Sequence, residues 1–355
     1  MKKDLKAISL FSGAGGLDVG FEQAGFVTVF ANEFDHDAAD AWRQNSTNQS
    51  HVMVEGYIHD HIDDLQVFSD IDVIFGGPPC QGFSVAGKLD PEDERSQLVW
   101  RFMKAVEKVS PKAFVMENVA ALGTLDKWKG IRERIIYLGN ELGYDVSYDI
   151  HHTADYGVPE NRDRIIFLGT KKGLGDHERF YNELTAFRAK PQTAREVILS
   201  AGEFGSEENP QTCTANVSLA SHPVMRKSPY AGMLVNGAGR PIDLDGIAPT
   251  LPASMGGNKT PIVDEVSLHD PSMPNWFETY HAGLISGKIT PQTTVVPKTI
   301  RRLTIKECAA IQTFPIGYKF SGKKTKQYRQ IGNAVPCRFA KAVALALKKA
   351  YFEEK

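Results

Sequence analysis

The sequence predicts an α/β protein: a doubly wound sheet, followed by a second, smaller and irregular domain. Three observations predict it. Short apolar runs alternate with periodic helical stretches through about residue 175. A glycine-rich turn, Ser12-Gly13-Ala14-Gly15-Gly16-Leu17-Asp18, separates the first strand from the first helix. From Thr193 to Pro297, Pro, Gly, Ser, Thr and Asn crowd together and no long periodic helix is evident.

Lys6 to Phe11 reads as the first strand and Gly20 to Ala24 as part of the first helix. Strand, glycine turn and helix N-terminus make a pocket of backbone N–H groups suited to an anionic group. Phe26 to Ala31 is the next strand and ends in Asn32-Glu33-Phe34-Asp35. Glu33 lies 17 residues past Gly16, where an acid ending a second strand grips ribose hydroxyls. Phe34 beside it can stack on an adenine. His51 to Val54 and Ile71 to Phe75 are further strands.

Arg95 to Val109 is a periodic helix that stops before Pro111. Ala113 to Met116 is a buried strand delivering Glu117-Asn118-Val119; Trp128 to Leu142 is a helix. Tyr144 to Ile150 and Ile165 to Gly169 complete the strands, the latter preceded by Glu160-Asn161-Arg162-Asp163-Arg164. In the irregular region Tyr230, Met233, Leu234, Trp276, Phe277 and Tyr280 recur, which argues for a folded domain. Thr304 and Glu307 form a capping box for a helix over Ile305 to Thr313. Gln330 to Pro336 opens a final helix over Arg338 to Tyr351, with Pro336 suited to a first helical position. The expected domains are 1–175, 176–320 and a returning segment 321–355.

Composition is that of an ordinary soluble protein: 42% hydrophobic and 24% charged over 355 residues. No run approaches the ~20 apolar residues of a membrane span, and the N-terminus has no signal-peptide pattern. The four cysteines are scattered without a Cys-x-x-Cys pair, which argues against a structural zinc site and a disulfide framework and suits a reducing cytosol. No metal is expected. Net charge is −2, yet Lys288 to Lys349 holds fourteen Lys or Arg and one acid, Glu307. Such a run is either a solvated face or a basic wall that meets a polyanion.

The chemistry concentrates at Phe75-Gly-Gly-Pro-Pro-Cys-Gln-Gly-Phe-Ser84. Two glycines let the backbone approach something closely, and two prolines stiffen the turn. Cys80 is thereby placed as a candidate nucleophile, and Glu117 ends a strand where open α/β sheets build active sites.

Together these stretches resemble the cytosine-5 DNA methyltransferases, which methylate carbon 5 of cytosine with S-adenosylmethionine. The matches are Phe11-Ser-Gly-Ala-Gly-Gly16, Asn32-Glu-Phe34, Gly77-Pro-Pro-Cys-Gln-Gly-Phe-Ser84, Glu117-Asn-Val119, Arg162-x-Arg164, Arg302-Leu-Thr-x-x-Glu-Cys308 and Gly332-Asn-Ala-Val-Pro336. They span the chain in the family's order, with the irregular region where the family keeps its target recognition domain.

The resemblance implies a Rossmann-like S-adenosylmethionine-dependent domain and a final helix that packs back on it. It implies Cys80 as the nucleophile at C6 and Glu117 as hydrogen-bond donor or acid at N3, a role that needs a carboxyl pKa raised by burial. Arg164 would contact the cytosine O2, Arg162 would lie near the cysteine, and Asn118 would orient the Glu117 loop. Phe11, Ser12, Gly13, Gly15, Gly16, Glu33, Phe34, Tyr57, Pro78, Leu98, Asn333 and Ala334 would hold the cofactor, leaving S-adenosylhomocysteine as product. Gln81, Ser84, Arg95, Thr250 and Leu251 would contact double-stranded DNA, from which the cytosine must be flipped. Cys308 and Cys337 read as structural.

The expected setting is a cytoplasmic bacterial modification enzyme, monomeric, with any cognate restriction endonuclease acting separately. Two departures stand out. The family commonly has Gly-Asp-Ile after the third strand, its acid meeting the adenine; here the stretch is Gly56-Tyr57-Ile58, and Tyr57 can take over that contact. Glu160 stands where the family often has Gln. The readings left beside this one are a tRNA cytosine methyltransferase of the same fold, a non-catalytic DNA- or cofactor-binding paralogue, and a plain NAD-binding Rossmann enzyme. The first usually follows its cysteine loop with Gln-Pro-Phe-Thr, the second conflicts with intact Cys80, Glu117 and Arg164, and the third leaves the cysteine loop unexplained.

Overall fold

Strand and helix alternate as the periodicities require, in a computed structural model that describes residues 4–46, 52–79 and 97–353. Cys80, Gln81, Ser84 and Arg95 lie outside these residues. In chain order come β1 (Leu5–Leu10), α1 (Gly16–Gln23), β2 (Phe26–Glu33), α2 (His36–Asn45), β3 (Met53–Glu55), α3 (Ile58–His61) and β4 (Val73–Gly76). Next are α4 (Gln97–Val109), β5 (Ala113–Val119), α5 (Ala121–Thr124), α6 (Lys129–Glu141), β6 (Tyr144–His152), β7 (Glu160–Asn161), β8 (Asp163–Lys171) and α7 (His177–Ala186).

Seven of these strands form one sheet in the order β3-β2-β1-β4-β5-β8-β6. Strand order reverses between β1 and β4, the switch point at which doubly wound sheets open a crevice. β8 runs antiparallel to both β5 and β6. On one face Phe102, Val106, Phe114, Trp128 and Phe167 are fully buried. Burying each such side chain contributes roughly 1.5–3 kcal/mol. On α1, the ring of Phe21 stacks on Phe75 of β4 with centroids 4.0 Å apart.

The chain continues with α8 (Ala194–Ser200), β9 (Leu219–Val224), β10 (Met233–Val235), β11 (Ala248–Pro249), β12 (Ile262–Asp264), α9 (Glu265–His269), α10 (Trp276–Ile285), β13 (Ile300–Arg302), α11 (Ile305–Ile311), α12 (Lys324–Asn333) and α13 (Cys337–Tyr351). Two compact units result. One comprises 1–157, 162–190 and 334–355; the other comprises 158–161 and 191–333.

These bounds correct the expected division at 175 and 320. α7 belongs with the sheet because it packs on α13: Arg179 donates to the Lys349 carbonyl and Tyr351 to that of Asp176. Residues 158–161 belong to the other unit because β7 pairs with β11. α13 also packs on α1, where a Cβ on Gly20 would meet Lys341 N at 2.4 Å. The final helix therefore returns to the sheet unit, as the resemblance implies.

In the second unit Leu234, Ile262, Phe277, Tyr280 and Ile300 form a core. The capping box stands, Thr304 N–H donating to Glu307 and Glu307 N–H to the Thr304 hydroxyl. Two helices run against the sequence reading. α10 carries apolar residues all round rather than on one stripe, so no period marks it. α12 is lysine-rich and polar, and it takes in Gln330 to Asn333, which the sequence reads as the opening of the final helix. Pro336 is the N-cap of α13 rather than its first turn, with ψ 128° outside the helical region.

Candidate active site

Three loops leave the carboxyl ends of the adjacent strands β1, β4 and β5. After β1 the backbone turns through Phe11 and Gly13, both at φ 55°, and Gly15 at φ 90° caps α1. A non-glycine residue at positive φ is costly, and Phe11 is held there by its surroundings. Ser12 N–H donates to the Asn32 carbonyl at 3.0 Å, and the Ser12 and Ser9 hydroxyls meet at 2.8 Å.

Glu33, at the end of β2, closes the turn. One carboxylate oxygen accepts from Gly13 N–H at 2.8 Å and the other from Asp35 N–H at 2.9 Å. Burial raises its pKa against those hydrogen bonds. Asn32 donates to the carbonyls of Val54 and Gly56, tying β3 to the same rim. Phe34 and Tyr57 are exposed there. Gly16 faces the 334–336 segment: a Cβ on it would meet Val335 O at 2.5 Å and the Ala334 Cβ at 3.0 Å. Arg162 donates to the Ala334 carbonyl at 3.0 Å and is buried.

Glu117 ends β5. Because β8 is antiparallel, its first residues lie beside the last residues of β5, Arg164 opposite Val119 and Ile166 opposite Glu117. Glu117 and Arg164 are therefore diagonal neighbours within reach of long side chains. Arg164 Nε lies 2.6 Å from Glu117 Oε1, both side chains 11% exposed. Burial raises the Glu117 pKa; Arg164 and Arg162 oppose that shift without cancelling it. Asn118 donates to the Pro78 carbonyl at 3.0 Å and accepts from Val119 N–H at 2.9 Å, joining the β4 and β5 loops. Gly77 is what the Glu117 carboxylate approaches: a Cβ there would lie 2.7 Å from Oε2. Leu98 is half-buried near the start of α4.

In the second unit Thr250 is exposed and its hydroxyl donates to the Asn161 carbonyl. Leu251, expected on DNA, is instead fully buried, and its N–H donates to Glu160 Oε1 at 2.6 Å. That bond also accounts for Glu160, an acid held by a backbone donor within its own unit. Asn333 is exposed at the end of α12.

The basic run is not one surface. Arg301 is buried in a bidentate pair with Glu307 at 2.7 and 2.8 Å. Arg302 is buried on the carbonyls of Ala215, Asn236, Asn258 and Thr260. Lys319, Lys323, Lys324 and Arg329 are exposed. Cys308 and Cys337 are buried, burial pushing both thiols up. Among the described residues no group of three His, Cys, Asp or Glu could hold a metal ion, and no helix is long and apolar enough to cross a membrane.

The turn offers helix N-terminal N–H groups for a carboxylate, an acid for a diol and aromatic faces for a purine, a donor set that fits S-adenosylmethionine. The family model of the C-5 cytosine-specific DNA methylases matches residues 5–349. Type II methyltransferase M1.HphI of Haemophilus parahaemolyticus is 32% identical, over 97% of this chain and 87% of its own. Type II methyltransferase M.NgoPII of Neisseria gonorrhoeae is 32% identical, over 97% and 96%. A solved DNA modification methyltransferase encoded within an E. coli prophage superposes with a TM-score of 0.66 at 23% identity, covering 98% of this chain and 100% of that one. The chain belongs to the family of C-5 cytosine-specific DNA methylases.

Proposed function

We propose that this cytosine-5 DNA methyltransferase flips one cytosine out of a short specific duplex sequence and methylates it by covalent catalysis through Cys80. It does so as the monomeric modification enzyme of a Type II restriction–modification system in the bacterial cytoplasm, its endonuclease acting separately. Similarity to two Type II methyltransferases supports the setting.

The observation that carries the mechanism is the buried pair of Glu117 and Arg164 on adjacent strand ends. Addition of the Cys80 thiolate across C5–C6 makes an S–C6 bond and moves the electron pair toward N3 and C5. Glu117, with its raised pKa, holds the proton that N3 needs, and Arg164 donates to O2. Glu117 and Arg164 thus meet neighbouring atoms of one base edge. Asn118 keeps the Glu117 loop fixed to the loop that leads to Cys80. Once C5 carries the methyl group, loss of the C5 proton to water and return of the N3 proton to Glu117 let the C6–S bond break and restore the ring.

S-adenosylmethionine, when bound, supplies a methyl group on a sulfonium. Phe11, Ser12, Gly13, Gly15 and Gly16 place α1 N–H groups toward its carboxylate, and Glu33 takes the ribose. Phe34 and Tyr57 face the purine, while Pro78, Leu98, Asn333 and Ala334 complete the site. Gln81, Ser84, Arg95 and Thr250 contact DNA; Leu251 supports Thr250 from the interior.

Methyl transfer from labelled S-adenosylmethionine should appear on cytosine of duplex DNA, and Cys80→Ala should abolish it while keeping cofactor affinity. A duplex carrying 5-fluorocytosine should trap a covalent adduct with the wild type alone. Transfer to tRNA but not to DNA overturns the substrate; full activity of Cys80→Ala overturns the mechanism.

A further inference from the structure

Between α11 and α12 the second unit carries a tight apolar turn. Tyr318 N–H donates to the Pro315 carbonyl at 3.1 Å and closes it. Gly317 sits at φ 82°, the conformation that the third position of a type II turn requires and that glycine adopts without strain. Beneath the turn Phe314, Tyr318 and Phe320 pack ring on ring, with centroids 4.7, 5.0 and 5.3 Å apart. Phe314 and Tyr318 are buried, and Phe314 N–H donates to the Ala309 carbonyl at 3.0 Å. The ring cluster holds the turn rigid. Pro315 and Ile316 project from it, and Ile316 is fully exposed. The fold gains nothing from an isoleucine there, because it buries no apolar surface.

The surroundings of the turn are cationic. Gln330 ties it to α12, the side-chain amide donating to the Ser321 carbonyl at 2.9 Å. Lys319, Lys323, Lys324 and Arg329 are exposed on this stretch. No Asp or Glu stands in the sequence between Glu307 and Glu353. α12 lies along the segment that follows Thr250, the residue assigned to DNA above. A Cβ on Gly332 would meet Pro252 O at 2.6 Å, and one on Gly256 would meet the Thr325 Cα at 3.0 Å. The turn and its cations are thus built on the same framework as Thr250.

A protein partner would need an apolar patch of roughly several hundred Å², whereas here one aliphatic tip stands among positive charges. Duplex DNA answers both features, with phosphates for the cations and base steps that admit an aliphatic wedge. We propose that the Pro315–Tyr318 turn is a DNA wedge: Ile316 inserts at a base step beside the target, Lys323 and Arg329 engage the flanking phosphates, and the duplex bends. This rests on the duplex-DNA reading above. The burial that Ile316 lacks in the free protein is gained in the complex and offsets the unstacking of that step.

The test uses the full chain and a duplex of about 20 base pairs carrying a sequence that the wild type methylates, with donor and acceptor dyes at its two ends. Binding is followed with S-adenosylhomocysteine present, so no turnover is needed. The wild type should raise energy transfer as the ends approach. Ile316→Ala should weaken DNA binding by about tenfold and remove most of that rise. Ile316→Leu, which keeps an aliphatic wedge, should behave as the wild type does. Lys323→Gln combined with Arg329→Gln should keep the bend at saturation and lower the slope of log K against log salt by about two. Ile316 is fully exposed, so the fold should tolerate its changes, and S-adenosylhomocysteine affinity should stay the same in every variant.

A wild-type complex without a rise in energy transfer overturns the inference. So does Ile316→Ala with DNA affinity within about twofold of the wild type, or a loss in Ile316→Leu as large as in Ile316→Ala. Failure of the wild type to methylate any duplex DNA overturns the substrate reading itself, and the inference with it.

Discussion

Arg164 Nε lies 2.6 Å from Glu117 Oε1, in a site where burial has already pushed the carboxyl upward. Two forces compete on that carboxyl. Desolvation favours the neutral acid, and the arginines favour the carboxylate. Burial dominates, so the carboxyl holds its proton more tightly than a free glutamate does. Glu117→Gln keeps the shape and the contact but cannot transfer a proton. It should lower kcat by about a hundredfold or more while S-adenosylhomocysteine affinity stays within about threefold. With Glu117 as the proposed acid, wild-type kcat should fall as pH rises through the raised Glu117 pKa, and kcat–pH profiles of both proteins check this.

Gly77 offers a separate test of that geometry. Its missing side chain is the space the Glu117 carboxylate occupies, with 2.7 Å to Oε2 from an added Cβ. Gly77→Ala should displace the carboxylate and cut methyl transfer by about tenfold to a hundredfold, with an unchanged circular dichroism spectrum. A variant as active as the wild type would mean that Glu117 can shift without consequence.

Asp18 in the first turn of α1 is 2% exposed, and neither of its carboxylate oxygens has a hydrogen bond of good geometry among the described residues, Trp42 and Ser9 offering only weak ones. Burial raises its pKa from 3.8 to about 6, with Trp42 and Ser9 nearby only partly offsetting it. The folded state then binds the proton more tightly than the unfolded state. The stability linked to that proton is full below pH 3.8 and is lost as pH rises through about 6. Asp18→Asn should be more stable than the wild type at pH 8, by up to about 3 kcal/mol, with the gain vanishing near pH 4. Urea midpoints at pH 4, 6 and 8 read it out.

Arg302 organises the second unit from within. Its guanidinium donates to carbonyls at Ala215, Asn236, Asn258 and Thr260, four places far apart in sequence. Arg302→Leu leaves those acceptors unpaired and should lower stability by about 3 kcal/mol or more. Limited proteolysis should then cut within residues 191–333 before it cuts the sheet unit.

Local chemistry determined much of this protein. The Gly13–Gly16 turn, the Thr304–Glu307 capping box and the buried strand before Glu117 are set by neighbours in sequence, through backbone freedom, capping and apolar runs. They stand where the sequence placed them. Motif order was enough to identify the family.

Tertiary structure decided what depends on distant partners. The antiparallel placement of β8 brings Arg164 onto Glu117, and no run of residues encodes strand direction. Leu251 is buried because β7 and β11 pair across some ninety positions, and the basic run divides because Arg301 and Arg302 find partners inside the second unit. The polar sequence of α12 carries no apolar stripe, and contacts such as Gly332 against Pro252 O hold the helix in place. Likewise Tyr57 is an isolated departure from a motif until β2 and β3 align and set its ring against Phe34. Sequence fixes which groups exist and which turns are affordable to the backbone; long-range pairing fixes which groups meet.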